Sequence, residues 1–218
     1  MKGLMIKDMR LLLQQRTTLL MFLAIGLFLM LSGNNALFVV NYMIYVIATY
    51  AMGSIAYDTH DNGMAFLMTL PASKMEYVIG KYFLIFGSSF FMGIVFAVGT
   101  SIISMIRGNQ VQIGMVALEV LASMLMVMVV FSIMIPINIK YGTEKSKIVF
   151  LLVAGIVFGA LYLVEQLGIE DSMEMENALQ GLGQLEVPVI LLCGVILAAV
   201  AVCVSVNISN RIMHKKEF

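Results

Sequence analysis

The 218-residue chain has few of the residue types that carry redox, metal or nucleotide chemistry. Its two histidines, His60 and His214, both stand in polar stretches of the sequence. Haem binding and metalloprotease chemistry therefore lack the histidine ligands that they usually need. Gly80-Lys81 stands alone at the start of an apolar run and is not part of a G-x-x-x-x-G-K-S/T phosphate-binding loop. We expect no catalytic residues, no metal site and no bound cofactor in this chain.

Cysteine and charge are also scarce. The two cysteines, Cys193 and Cys203, are ten residues apart, which on a helix separates them by about 15 Å. A disulfide cannot bridge that distance, so we expect both to be packing residues. Charged residues make up 12% of the chain and sum to a net charge of zero, which gives no reason to expect nucleic acid as a partner.

Long apolar runs fill most of the chain instead. Hydrophobic residues make up 61% of it, and its mean hydropathy is +0.99. A transmembrane helix needs about 20 apolar residues, and several runs come close to or reach that length. The sequence therefore predicts an all-α polytopic membrane protein, with lipid around a single transmembrane domain, residues 1–218. Six transmembrane helices are predicted, at residues 17–31, 36–56, 82–106, 113–137, 148–167 and 187–205.

Residues 2–15 form a polar segment ahead of the first predicted span. Their pattern is amphipathic, because Met9 and Leu13 fall on one face of a helix and Lys7 and Arg10 fall on the other. Basic residues opposite an apolar stripe favour a helix that lies in the membrane interface. We therefore expect an N-terminal interfacial helix at residues 2–15.

Lysine and arginine fall almost entirely on one side of the predicted membrane. They occur in the N-terminal segment, in the polar loops 57–81 and 138–147 and in the C-terminal tail, whereas Arg107 alone falls on the other side. By the positive-inside rule, both termini and the loop 57–81 are cytoplasmic. The first span is short enough for a re-entrant hairpin, but that alternative would move the later loops to the opposite side and destroy the charge bias. Acidic residues dominate the predicted outer loop 168–186.

The loop 57–81 is polar but has the pattern of folded protein. Asp61-Asn62-Gly63 supplies capping residues, and the apolar segment after it predicts a helix of about two turns that ends at Pro71. Ser73 and Glu76 match the capping box, in which each side chain satisfies a backbone N–H at a helix start. The sequence therefore predicts a helix–turn–helix whose second helix begins directly after Ser73. The alternative is a solvated connector with one interfacial helix.

Three polar residues within predicted spans are candidates for a substrate path. Asn41 falls in the second span, Glu119 falls about two turns into the fourth, and Glu165 falls near the outer end of the fifth. A charged group inside a membrane is costly unless it faces water or a partner, which makes such residues functional candidates. The alternatives are that Glu119 reaches the outer interface and that Glu165 belongs to the outer acidic loop.

The chain resembles the permease subunits of type 2 ATP-binding-cassette exporters over nearly its whole length. In that family, the pattern NG…(S/T)LP(I/A)S(R/K)…(V/I)xGK marks a coupling helix and the start of the third span. This sequence has Asn62-Gly63, then TLPASK at 69–74 and VIGK at 78–81. The coupling helix of the family docks on a separate ATPase subunit. The resemblance implies the same role for residues 61–74.

One position departs from the family pattern. Many relatives open the motif with a glutamate, whereas this chain has Asp58 and Asp61 on either side of His60. No fixed role is therefore assigned to an acidic residue there. The small size and short outer loops are most similar to bacterial exporters of amphipathic peptides, including the phenol-soluble-modulin exporters.

The resemblance implies a homodimer of this chain with two separate ATPase subunits in a bacterial cytoplasmic membrane. ATP and magnesium would be bound by the partner ATPase, whose closure would push on the coupling helices and turn the cavity outward. Spans one, two and five would line the dimer interface and the route of an amphipathic or antimicrobial-type peptide out of the cell. The residues implied in ATPase coupling are Asp61, Asn62, Gly63, Met64, Phe66, Leu67, Leu70, Pro71, Ser73 and Lys74.

A function of a different class stays open at this point. The chain would then be a non-transporting membrane immunity or scaffold protein that binds a peptide and needs no ATPase. The loop 57–81 discriminates between the two functions, because a folded helix–turn–helix predicts a cytoplasmic partner. An intramembrane enzyme has no credible set of catalytic residues in this sequence.

Overall fold

The computed structural model of the chain describes residues 2–32, 36–59, 63–69, 73–108, 112–166 and 187–216. These residues are almost entirely helical and contain no strand, which confirms an all-α polytopic membrane protein. The predicted acidic loop 168–186 lies outside them. The helices are α1 (Lys2–Gln14), α2 (Arg16–Leu31), α3 (Ala36–Thr59), α4 (Gly63–Thr69), α5 (Lys74–Ile106), α6 (Ile113–Gln166) and α7 (Val187–Lys215).

Several of these helices are suited to cross a membrane. Among the described residues, four stretches are long and apolar enough by themselves: Ala36–Thr59, Lys74–Ile106, Ile113–Gly142 and Val189–Lys215. The helix α2 has only 16 residues and follows α1 at a bend of 71°, and the two helices together also meet the criterion. The fifth predicted span falls in the second part of α6, where most side chains lie outside the described part of the chain. The count of six spans therefore stays a prediction.

The central helix of the bundle is α3. It packs most extensively against α5 and also against α6, and α6 packs in turn against α7. The contact with α5 is close at Gly93, where an added β-carbon would lie 2.8 Å from Ile44 Cγ1. Small residues at such crossings let helix backbones approach each other, and the packing that results holds helices together in lipid.

The connection in α6 is shorter than the predicted loop 138–147, because the chain is helical on both sides of Gly142. Gly142, with φ of 75° and ψ of 170°, interrupts the helix. Across this break, Ser146 Oγ donates a hydrogen bond of 2.9 Å to Asn138 Oδ1. Lysine and glutamate are good helix formers, so polarity alone does not end a helix, whereas a positive φ favours glycine.

The helix α7 begins at the predicted residue but runs to Lys215, well past its predicted end at 205. Lys216 Nζ donates a hydrogen bond of 2.6 Å to the carbonyl oxygen of Ile139, and this bond ties the end of α7 to α6. Partial burial lowers the pKa of the Lys216 ammonium group below its usual value. The described part of the polar tail, up to Lys216, therefore continues the helix and packs on the bundle.

The two cysteines lie on the exposed surface of α7. Both are free thiols and both are exposed, so neither belongs to the buried core of the described residues. Val195, Ile196 and Val200 on the same helix are also at least half exposed. The surface of α7 is therefore apolar, as expected for a helix that contacts lipid or another apolar helix.

Candidate functional site

The short helix α4 lies where α3 ends and α5 begins, at what we call the α4 end of the bundle. Met64 and Leu67, three positions apart on this seven-residue helix, are buried in the same apolar cluster as Tyr77 and Val78 of α5. Phe66, in contrast, is 69% exposed. The helix is therefore held on the bundle by one face and presents an aromatic side chain on another.

The start of α4 packs closely on the last turn of α3. A β-carbon at Gly63 would lie 3.1 Å from the carbonyl oxygen of Asp58 and 3.5 Å from that of Tyr57. The contact at 3.1 Å is tighter than most real β-carbon contacts, so glycine eases the close approach of the two backbones. The position of α4 is thus set against the residue Asp58.

The capping box at the start of α5 is confirmed. Ser73 Oγ accepts a hydrogen bond of 3.1 Å from the Glu76 amide, and the Ser73 amide donates one of 3.2 Å to Glu76 Oε2. The helix begins at Lys74, as predicted. Lys74 Nζ donates to the carbonyl oxygen of Lys216 at 3.1 Å, which joins this helix start to the C-terminal end of α7.

Four charged side chains meet beneath α4, and we call Lys7, Asp8, Asp58 and Lys81 the charge quartet. Lys81 lies at its centre and is only 1% exposed. Its Nζ is 2.6 Å from Asp58 Oδ2 on α3 and 2.8 Å from Asp8 Oδ2 on α1. It also donates a hydrogen bond of 3.1 Å to Ser54 Oγ. One ammonium group thus joins three helices.

The second cation of the quartet comes from α1. Lys7 Nζ is 2.5 Å from Asp58 Oδ1 and 3.1 Å from Asp8 Oδ1, and its side chain is partly exposed. The Tyr77 hydroxyl donates a hydrogen bond of 3.1 Å to Asp58 Oδ2. The Lys81 ammonium lies 5.2 Å from the centre of the Tyr77 ring, within the range of a cation–π contact.

The quartet is electrically balanced, with two positive and two negative side chains. Buried charges are tolerated when they are paired and hydrogen-bonded, since desolvation otherwise exceeds their attraction. Asp8 and Asp58 are 3% and 4% exposed, so most of this pairing takes place away from solvent. The arrangement holds α1, α3 and α5 together.

Sequence reasoning missed the quartet. It placed Lys7 on a polar helix face, assigned no role to Asp58 and treated Gly80-Lys81 as an isolated pair. A signal was present, because Asp8 is the single acidic residue before Asp58, and Asp58 and Lys81 each lie at the end of a predicted membrane span. Isolated charges of opposite sign beside apolar segments indicate pairing, but they do not say which residues pair.

An apolar cavity of about 590 Å³ lies between α1, α3 and α5. Its lining includes Met9 and Leu13 of α1 and Phe83 and Phe91 of α5, all of which are more than half exposed. Tyr50 of α3 also lines it and donates a hydrogen bond of 2.5 Å to the carbonyl oxygen of Leu12. The apolar face predicted for residues 2–15 therefore faces this cavity.

The predicted substrate-path residues are not gathered into one site. Asn41 is exposed on α3, and Glu119 is half-buried on α6, where its carbonyl oxygen accepts a hydrogen bond of 2.6 Å from Ser123 Oγ. Neither residue lines the 590 Å³ cavity. Glu165 lies in the second part of α6, and its side chain is outside the described part of the chain. Their place on a substrate path stays a prediction.

The residues implied in ATPase coupling are described in part. Gly63, Met64, Phe66 and Leu67 come together in α4, and Ser73 and Lys74 stand at the start of α5. Asp61, Asn62, Leu70 and Pro71 lie outside the described residues. The described residues form a compact element with one exposed face, while their role in docking stays a prediction.

Comparison with known proteins places this chain in a family. The family model described as ABC-2 family transporter protein matches residues 3–214, nearly the whole chain. Neither a curated protein nor a solved structure matches the chain significantly. The matched region contains α4 and the whole charge quartet. The chain belongs to the ABC-2 family of transporter proteins and is a multi-pass membrane component of such a transporter.

Proposed function

We propose that this chain is the permease subunit of an ATP-driven exporter, and that α4 is its docking element for the ATPase. Family membership implies an ATP-binding-cassette ATPase as the partner. The observation that carries the docking role is the exposure of Phe66, 69%, on a helix that is otherwise fixed by Met64 and Leu67. An aromatic side chain presented by a rigid element is a typical anchor of a protein interface. ATP and magnesium are bound by the partner.

The assembly that we propose is a homodimer with two ATPase subunits, in a bacterial cytoplasmic membrane. A second copy would cover apolar surface that a single chain leaves exposed, for which α2 offers Phe28 and Leu31, both more than 60% exposed. The lysine and arginine bias supports cytoplasmic termini and a cytoplasmic α4. In this orientation, α4 faces the compartment that contains ATP.

The proposed cargo is an amphipathic or antimicrobial-type peptide that moves outward. The 590 Å³ cavity beside α1 supports this substrate class, because its lining is almost entirely apolar and matches the apolar face of such a peptide. Asn41, Glu119 and Glu165 remain the candidates for polar contacts along the route. The resemblance of the sequence to phenol-soluble-modulin exporters, in its small size and short predicted outer loops, supports the same class of cargo.

Docking is tested by purifying the tagged full-length chain in mild detergent from its native cell and identifying co-purified proteins by mass spectrometry. We expect an ATPase with a phosphate-binding loop in about equal amount, and we expect Phe66→Ser to reduce its recovery at least tenfold. Phe83→Ser is the matched control, because Phe83 is 63% exposed on α5 but lies on the cavity. Equal loss in both variants contradicts docking through α4.

The cargo is tested on the same complex by measuring ATP hydrolysis with added amphipathic peptide. Stimulation by an amphipathic helical peptide, and none by a scrambled peptide of equal composition, is the expected result. A chain that purifies without an ATPase contradicts the proposed function. That outcome favours the alternative of a non-transporting immunity or scaffold protein that binds a peptide.

A further inference from the structure

The charge quartet connects the part of α3 on which α4 packs to the N-terminal helix α1. We propose that it is a joint that passes a displacement of α4 to α1, with Lys81 and Asp58 as positioning residues for the transport cycle. This inference rests on the proposed function, since the displacement comes from a bound ATPase. It assigns a mechanical role to residues outside the docking surface.

The first step of the argument is the contact between α4 and the quartet. Gly63 is so close to Asp58 that an added β-carbon would lie 3.1 Å from the carbonyl oxygen of that residue. Tyr77 packs in the same apolar cluster as Met64 and Leu67, and its hydroxyl donates to the Asp58 carboxylate at 3.1 Å. A movement of α4 therefore displaces the backbone of Asp58 and the Tyr77 hydroxyl that donates to the Asp58 carboxylate.

The second step is the attachment of α1. Ile6, Met9 and Leu13 on its apolar face are each more than half exposed and border the 590 Å³ cavity, so this face adds little packing against α5. Leu4 and Leu12 pack against the main cluster, and Tyr50 holds the carbonyl oxygen of Leu12 at 2.5 Å. Lys7 and Asp8 supply the ion pairs from α1 to the described part of α3 and α5. These ion pairs therefore attach the middle of α1 to α3 and α5.

The third step leads from α1 to the membrane. The chain turns by 71° between α1 and α2, and Tyr50 also lies 3.3 Å from the carbonyl oxygen of Gln15 at this bend. The helix α2 packs on α3 through Leu19 and Leu23, which join the cluster around Met43. A displaced α1 therefore shifts α2 against α3, which changes the first proposed span.

The ion pairs of α1 in the quartet can be removed without changing the net charge of the chain. The double variant Lys7→Gln and Asp8→Asn removes one positive and one negative charge from α1, and it leaves the Lys81–Asp58 pair at 2.6 Å between α5 and α3. No buried charge then loses its only partner, so folding is expected to persist. Arg10→Gln on the exposed side of α1 is the matched control.

The experiment uses single tryptophan reporters, which are clean because the chain contains no tryptophan. One reporter is Phe66→Trp on α4 and the other is Leu13→Trp on α1, each in the full-length chain purified with its ATPase. Emission is recorded before and after addition of a non-hydrolysable ATP analogue with magnesium. The signal of the complex with the unsubstituted chain is subtracted to remove tryptophans of the ATPase.

We expect the nucleotide to shift emission at both positions in the parent chain and in Arg10→Gln. In the double variant, the shift at position 66 persists and the shift at position 13 falls at least threefold. An unchanged response at position 13 overturns the joint, while the proposed function stands. Absence of any response at position 66 in the parent contradicts the proposed function, and the joint with it. If the double variant does not assemble, Asp8→Asn alone replaces it with the same expected direction, and Asp8→Glu is expected to restore the response.

Discussion

Lys81 Nζ lies 2.6 Å from Asp58 Oδ2, at the point where α3 ends and α5 begins. An ion pair in an apolar surrounding loses its hydration, and only good geometry and further hydrogen bonds offset that loss. Ser54 accepts a hydrogen bond from the ammonium group, and Tyr77 donates one to the carboxylate. Asp8 supplies the second carboxylate for Lys81 from α1. The pair therefore holds α3 and α5 together beside α4. Removing either Lys81 or Asp58 alone is costly, because the other charge stays buried.

The substitution Lys81→Met should strongly destabilise the fold. It leaves Asp8 and Asp58 buried with Lys7 as their only cation among the described residues, and removing one partner of a buried pair costs about 3–5 kcal/mol. The measurement is the midpoint of chemical unfolding in detergent, followed by circular dichroism. Lys145→Met, at an exposed position of α6, is the control and should shift the midpoint little. Equal midpoints for the two variants would show that the quartet adds nothing to stability.

Tyr77→Phe should lower the free energy of unfolding by about 1.5–3 kcal/mol, the usual range for a hydrogen bond to a charged group. The ring and its packing stay, while Asp58 Oδ2 loses a donor at 3.1 Å. Tyr45→Phe is the matched control, because Tyr45 is 42% exposed and its hydroxyl makes no hydrogen bond to the described residues. The measurement is again chemical unfolding in detergent. A loss of unfolding free energy no larger than that of Tyr45→Phe contradicts the prediction.

Ser73→Ala should fray the first turn of α5. The capping side chain accepts from the Glu76 amide at 3.1 Å, and loss of such a cap costs about 1 kcal/mol. Amide hydrogen exchange should become faster at residues 74–77 and stay unchanged at the far end of α5. Ser73→Asp keeps an acceptor oxygen and should preserve slow exchange. Identical exchange in the alanine and aspartate variants would mean that the cap does not hold this turn.

Gly93→Ala should destabilise the contact between α3 and α5. The added methyl would meet Ile44 Cγ1 at 2.8 Å, and overpacking of this kind typically costs about 1–3 kcal/mol. Gly87→Ala on the same helix is the control, since the nearest atom there is 3.9 Å away and alanine favours helix by up to about 1 kcal/mol. The two thermal midpoints should therefore move in opposite directions. A gain in both variants would show that Ile44 moves aside without cost.

Much of the fold could be predicted locally. Apolar runs near 20 residues predict membrane helices because lipid offers no hydrogen-bond partner to an open backbone. The start of α5 was predicted at the right residue, since Ser73 and Glu76 satisfy each other's backbone within one turn. The short helix α4 was predicted from its apolar segment, and its observed extent is Gly63–Thr69.

The helices extend further than the predicted spans where polar residues follow an apolar run. The stretch 138–147 is helical except at Gly142, and α7 continues through the basic residues near its end. Lysine and glutamate have high helix propensity, so such segments extend a helix when neighbouring elements cover it. Lys216 and Ile139 supply that support at the end of α7.

By itself, the sequence determined the class of protein, the approximate helices and the cap at Ser73, because hydrophobic length and capping act over one segment at a time. Only the tertiary structure decided that Asp8, Asp58 and Lys81 form one cluster, since these residues lie on α1, α3 and α5 and meet only when the helices pack. It likewise decided which face of α4 is buried, leaving Phe66 exposed. A charge in an apolar surrounding requires a partner, but the choice among partners far apart in sequence depends on how the helices pack.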